Sequence, residues 1–189
     1  MSRADHRTVA LAARFEFVER MKRSQRLPPR GQFRVVAADV RGPAPQRFPH
    51  TLFFSSLLAA PLYQEMIAAH YTLPADGKHG PFNIAELTPA DFVSIDAAAL
   101  QRRIGQHLDY RRYGAAPISP ERRQNVTDFV DLLATQAFEI FALSPCDWFS
   151  DPHNARYPHE WSHALLEFHE YVLFDTLHRK LLCLMFAFD

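Results

Sequence analysis

The apolar positions along this chain change their spacing several times, and each change predicts an element. Between Arg7 and Ser24, Val9, Ala12, Ala13, Phe17 and Met21 recur at the 3.6-residue period, with Arg14, Arg20 and Lys22 off that stripe, so a helix is expected. Leu27-Pro28-Pro29-Arg30-Gly31 ends it in a turn. Gln32 to Arg41 then reads as a strand, with Phe33, Val35, Val36 and Val40 bounded by Gly31 and Gly42-Pro43. Phe82-Asn83-Ile84 and Phe92-Val93-Ser94-Ile95 are short candidates for its partners. A Pro-rich connector over Gly42 to Pro49 leads into an apolar helix, Thr51 to Tyr71, interrupted at Pro61. Thr88-Pro89 opens a short helical turn, and Asp96 caps a helix through Tyr110. Ser119-Pro120-Glu121 starts another helix, expected to reach about Leu143 on a stripe of Val126, Phe129, Val130, Leu133, Ala137, Ile140 and Phe141. After a loop, a last helix runs from Pro158 towards the C-terminus. Its end, Leu181 to Phe188, is apolar on every side, which means deep burial or docking on a partner. The expected fold is therefore mainly α with a small β element. An N-terminal recognition-like lobe (residues 1–117: basic helix, strand and helices) precedes a C-terminal helical lobe (118–189).

Composition narrows the class. An apolar fraction of 48% with 16 Phe in 189 residues supports a packed core and excludes disorder. The two cysteines, Cys146 and Cys183, are too few for a disulfide framework and fit a reducing cytoplasm. No uncharged apolar run is long enough for a membrane span, and no signal peptide is expected. Net charge is zero but uneven: residues 1–47 carry 11 Lys/Arg against 4 Asp/Glu, and the remainder 10 against 17. Because no nucleic-acid motif accompanies the arginines, the basic segment is expected to pack against the acidic remainder, with no nucleic-acid partner.

One motif carries potential metal chemistry. His159-Glu160-Trp161-Ser162-His163 is an H-E-x-x-H sequence, with His169 further along. On a helix, His159 and His163 share one face and grip a zinc ion, while Glu160 acts as general base for the metal-bound water. Two features weigh against catalysis. Pro158 puts both histidines in the opening helical turn. Leu166 stands where a three-histidine site needs glycine, so on a continuing helix His169 lies about 80° around from His159. A zinc hydrolase using His159, His163 and Glu160, with His169 as third ligand, is thus the alternative rather than the lead reading. Glu160 and His163 are also half of a di-iron E-x-x-H motif, whose second half is absent. His50 and His70 are isolated and read as capping or surface residues. Glycine-rich phosphate loops, G-x-S-x-G and C-x-x-C are absent, and no catalytic residue or metal ligand is expected in the lead reading.

Phe33-Arg34-Val35-Val36, Asp39 and Arg41, followed by His50-Thr51-Leu52-Phe53 opening a helix, resemble the N-terminal half of the partner protein of methanobactin biosynthesis. In that family a recognition subunit joins a larger iron-dependent oxidase that modifies cysteines of a ribosomally made precursor peptide. The resemblance implies a non-catalytic accessory subunit. It implies a peptide-binding strand formed by Phe33, Arg34, Val35, Val36, Ala37, Ala38 and Asp39, and a helical lobe packed on the oxidase. It places the iron in the partner, with no cofactor in this chain. The main departure is a helix, where recognition modules of this kind present adjacent strands. The competing class is a plain interaction or immunity protein.

Overall fold

The computed structural model describes residues 14–27, 31–42, 49–64, 78–109, 117–144 and 167–188. Its frame is one six-stranded antiparallel sheet. The strands are β1 (Glu16–Leu27), β2 (Gly31–Arg41), β5 (Phe92–Ile95), β6 (Phe138–Leu143), β7 (Glu167–Asp175) and β8 (Lys180–Phe188), in the order β1-β2-β8-β7-β6-β5. A small hairpin, β3 (Lys78–His79) with β4 (Phe82–Asn83), stands apart. The described residues also include four α-helices, α1 (His50–Leu58), α2 (Pro61–Gln64), α3 (Ala97–Asp109) and α4 (Pro120–Ala134), and two short 3-10 helices, Ile84–Glu86 and Pro89–Asp91.

Helices cover both faces. On one face, Phe53, Phe54 and Leu57 of α1 and Tyr63 of α2 pack on Val36, Ala38, Phe141, Val172, Cys183 and Met185 of the sheet. On the other, Leu100, Ile104 and Leu108 of α3 and Val126, Val130 and Leu133 of α4 pack on Phe33, Val35, Ile140, Leu173, Leu184 and Phe186. Alternation along each strand assigns successive side chains to opposite cores. A strand at the centre of such a sheet has no polar face. β8 illustrates this: it lies between β2 and β7, and Leu181, Cys183, Leu184 and Phe186 are at most 1% exposed.

The mainly α expectation is overturned, since 44% of the described residues lie in strands and 38% in helices. Three expected helices change. Glu16–Leu27 is a strand, paired with β2 from Glu16↔Arg41 to Leu27↔Gly31. Phe17 and Met21 are one helical turn apart in sequence, but a bulge between Glu19 and Met21 slips the register by one residue. Phe17 therefore meets the α1 core and Met21 the α4 core. The α4 helix stops at Ala134, and Phe138–Leu143 is β6. Its residues are apolar on both sides because both cores need them, which mimics a continuing helical stripe. Finally, residues 167–188 form the β7–β8 hairpin instead of a terminal helix. The Asp175 carboxylate accepts hydrogen bonds from the Leu177 and His178 N–H groups, and Arg179 takes a positive φ of 55° to close that turn. The apolar end at Leu181–Phe188 is explained by deep burial.

Other expectations hold. β2 covers Gly31–Arg41, and both short candidates contain strands, Phe82–Asn83 and Phe92–Ile95, but neither is a partner of β2: they pair with β3 and β6, and Ile84 starts a 3-10 turn. The Asp96 carboxylate accepts from the Ala99 N–H, and Ser119 Oγ from the Arg122 N–H, as N-caps should. The β2–β8 and β5–β6 ladders both run across the expected lobe boundary at 117/118.

Candidate functional site

β7 carries polar side chains into both cores, and they organise two buried clusters. Phe168, Glu170, Val172 and Phe174 face the α1 side, while Tyr171 and Leu173 face the α3 side. On the α1 side, Glu170 is 1% exposed and His79 is fully buried. His79 Nε2 lies 2.5 Å from Glu170 Oε2, and the Tyr63 hydroxyl donates to the same oxygen at 3.1 Å. His79 Nδ1 lies 3.2 Å from the Tyr63 carbonyl oxygen, which only accepts, so Nδ1 carries a hydrogen. One proton must then lie between Nε2 and Oε2, whichever atom formally holds it. The Tyr63 and His79 rings stack at 4.0 Å. This network ties α2 and the β3–β4 hairpin to the middle of the sheet. The other carboxylate oxygen, Glu170 Oε1, is buried with no hydrogen-bond partner among the described residues. Burial, then the Glu170 carboxylate, pushes the Tyr63 phenol well above its ordinary value, and the same two causes raise the Cys183 thiol. Cys183 is therefore a protonated core residue with no nucleophilic character.

On the α3 side, His107 Nε2 lies 2.6 Å from the Tyr171 hydroxyl, and its ring stacks on His169 at 3.7 Å with 15° between planes. His169 Nε2 lies 2.9 Å from Glu167 Oε2. Burial first, then His169 and Arg103, lowers His107 from 6.5 to about 3, so this imidazole is neutral at physiological pH. Burial likewise raises the Tyr171 phenol.

A third feature runs along the sheet edge. Among the described residues no strand pairs with the outer side of β1. Beside it lies a groove of about 270 Å³ between β1, β2 and α4, lined by Met21, Arg23, Gln25, Phe33, Val126 and Phe129 among others. β1 carries Arg20, Lys22, Arg23 and Arg26 against Glu16 and Glu19. Arg20 is committed to Asp39 at 2.5 Å, and Lys180 bonds the same carboxylate. Lys180 and then Arg20 hold the Asp39 carboxyl below its ordinary range.

The residues expected to bind peptide divide accordingly. Phe33, Arg34, Val35, Val36, Ala37, Ala38 and Asp39 all sit on β2, but both edges of β2 are already paired, with β1 and with β8. Its main chain has no free side to offer, so an added strand has to pair elsewhere. Phe33 and Val35 do reach the groove. Val36 and Ala38 belong to the opposite core, and Arg34 is 5% exposed in the cross-strand row Arg34–Met185–Glu170. His159, Glu160 and His163 lie outside the described residues, as do His70 and Cys146. His169 is described, and it sits on β7, so one continuous helix from His159 to His169 is excluded. His50, at the start of α1, bonds the Phe92 carbonyl through Nε2 at 3.1 Å. Sequence reading missed His79, His107, Glu167, Glu170, Tyr63 and Tyr171. For Glu167, Glu170 and Tyr171 the signal was charge and histidine within the apolar run of 167–174, which a helical reading spread around a surface; His79, His107 and Tyr63 carried no local signal.

No helix of the described residues is long and apolar enough to cross a membrane. In comparisons with known protein families, curated proteins and solved structures, the chain matches none.

Proposed function

We propose that this chain is a recognition subunit that binds an extended, acidic peptide segment along the outer edge of β1. The observation that carries this reading is the groove between β1 and α4 beside the unpaired edge. Strand addition supplies affinity through main-chain hydrogen bonds, and pockets for alternate side chains supply specificity. Here both components are adjacent. The bulge ends at Met21, leaving Met21–Leu27 as a regular run for pairing. Phe33, Val126 and Phe129 offer apolar contact to every second residue of the incoming strand, while Arg23 and its basic neighbours favour carboxylates. The bulge and cations are also the means by which proteins discourage indiscriminate edge pairing, so the edge favours one class of partner over others.

In its most specific form, drawn from the resemblance to the methanobactin partner subunit, the segment belongs to a precursor peptide. The chain then docks on a larger metal-dependent oxidase that holds the iron.

The test is a peptide array of 12-residue segments alternating apolar and acidic positions, followed by fluorescence anisotropy titration of the best binder. Micromolar binding, weakened at least tenfold by Arg23→Glu and by Met21→Glu, is the expected result. Arg23 is exposed on the groove face, whereas Met21 also packs against the α4 core, so circular dichroism checks that each variant remains folded and Arg23→Glu decides if Met21→Glu does not. Failure of every array peptide to bind, or affinity indifferent to both substitutions, would overturn the proposal.

A further inference from the structure

The cluster under the C-terminal part of α3 has no part in peptide binding at the β1 edge, and its chemistry is different. Among the described residues, His107, Glu167 and His169 are the one group of three metal-ligating side chains whose ligand atoms all lie within 4.8 Å of one another. We propose that they form a binding site for a divalent transition-metal ion, with zinc as the fitting ion.

The donor set is two imidazoles and a carboxylate, which suits zinc and leaves a fourth position for water. The residues come from two elements, α3 and β7, so the site closes only in the folded chain. Its depth is graded: His107 is buried, whereas the His169 and Glu167 side chains are 25% and 32% exposed. An ion therefore enters from solvent past the two partly exposed ligands and meets the buried one. The Tyr171 hydroxyl on His107 Nε2 is an outer contact of the kind that orients metal-binding imidazoles. Phe186 packs 5.5 Å from the His107 ring and gives the site an apolar floor.

The geometry also states what must move. Tetrahedral zinc holds its donors about 3.4 Å apart, so on loading the 2.9 Å Glu167–His169 contact opens while any separation towards the 4.8 Å limit closes. The stacked rings run nearly parallel, and parallel in-plane lone pairs do not converge on one point. His107 is held by Tyr171 and the core. His169 therefore rotates about its side-chain torsions, and the ion takes the place of the Glu167–His169 hydrogen bond, the imidazole hydrogen moving to the ring nitrogen that does not ligate.

The experiment uses the full chain after chelator treatment, titrated calorimetrically with zinc and separately with cobalt(II) as a spectroscopic reporter. One ion per chain and a tetrahedral cobalt spectrum are expected, with affinity reduced at least tenfold in Glu167→Gln and in His169→Ala. Both variants alter partly exposed side chains, and circular dichroism checks that each remains folded. Absence of stoichiometric binding would overturn the site. Binding retained in both variants but lost in His159→Ala or His163→Ala would also overturn it, by moving the ion to the H-E-x-x-H segment.

Discussion

Replacing Glu170 with alanine tests whether the buried network holds α2 and the β3–β4 hairpin on the sheet. The substitution strands two buried polar groups, the His79 Nε2 side and the Tyr63 hydroxyl, at about 1–3 kcal/mol each. It also leaves a cavity, while relieving the unpartnered Oε1. The net expectation is a loss of about 3–5 kcal/mol, the range for removing one partner of a buried pair. At roughly 2–4 °C per kcal/mol for a chain of this size, Tm falls by about 6–20 °C. Glu170→Gln behaves differently. Its amide can donate to the neutral His79 Nε2 in place of the shared proton, so it costs only about 1–2 kcal/mol. The assay is urea unfolding followed by circular dichroism at pH 7, with an unchanged slope required before midpoints are compared. The double variant His79→Phe/Glu170→Leu keeps a ring stacked on Tyr63 and leaves no buried charge, so it should be less destabilised than the sum of its singles. An alanine variant costing under about 1 kcal/mol, or a glutamine variant as damaging as alanine, refutes the network's role.

Three further outcomes are expected. Because His107 falls from 6.5 to about 3 on folding, the unfolded chain binds more protons between those values. The stability this contributes is complete above about pH 6.5 and is lost at up to ~1.4 kcal/mol per unit as pH drops. Unfolding at pH 7 and pH 4.5 should show a steeper acid loss in the native sequence than in His107→Gln, and equal slopes would refute it. Gly80 has φ +57°, and a Cβ there would come within 2.8 Å of the Phe168 ring, so Gly80→Ala should cost about 1–3 kcal/mol in thermal unfolding. Leu184→Ala, at the centre of β8 and fully buried, should cost about 2–5 kcal/mol in urea unfolding.

Local signals in the sequence decided a definite part of this fold. Asp96 and Ser119-Pro120 announced the starts of α3 and α4 because capping is satisfied within four residues. Gly31 and Gly42 bracketed β2, and Thr88-Pro89 marked a real 3-10 turn. Composition alone required a large apolar core. The class of the fold was decided elsewhere. Phe17 and Met21 looked helical because an edge bulge turns two strand residues to opposite cores. Phe138–Leu143 and Leu181–Phe188 lost strand alternation because helices cover both sheet faces, and a doubly buried strand has no polar side to show. The clusters were hidden for the same reason. Glu170 meets His79 across 91 residues, and His107 meets Tyr171 across 64, through pairings that no local pattern encodes. The order β1-β2-β8-β7-β6-β5 brings these residues together, because antiparallel pairing between distant strands is set by which surfaces must be buried against each other.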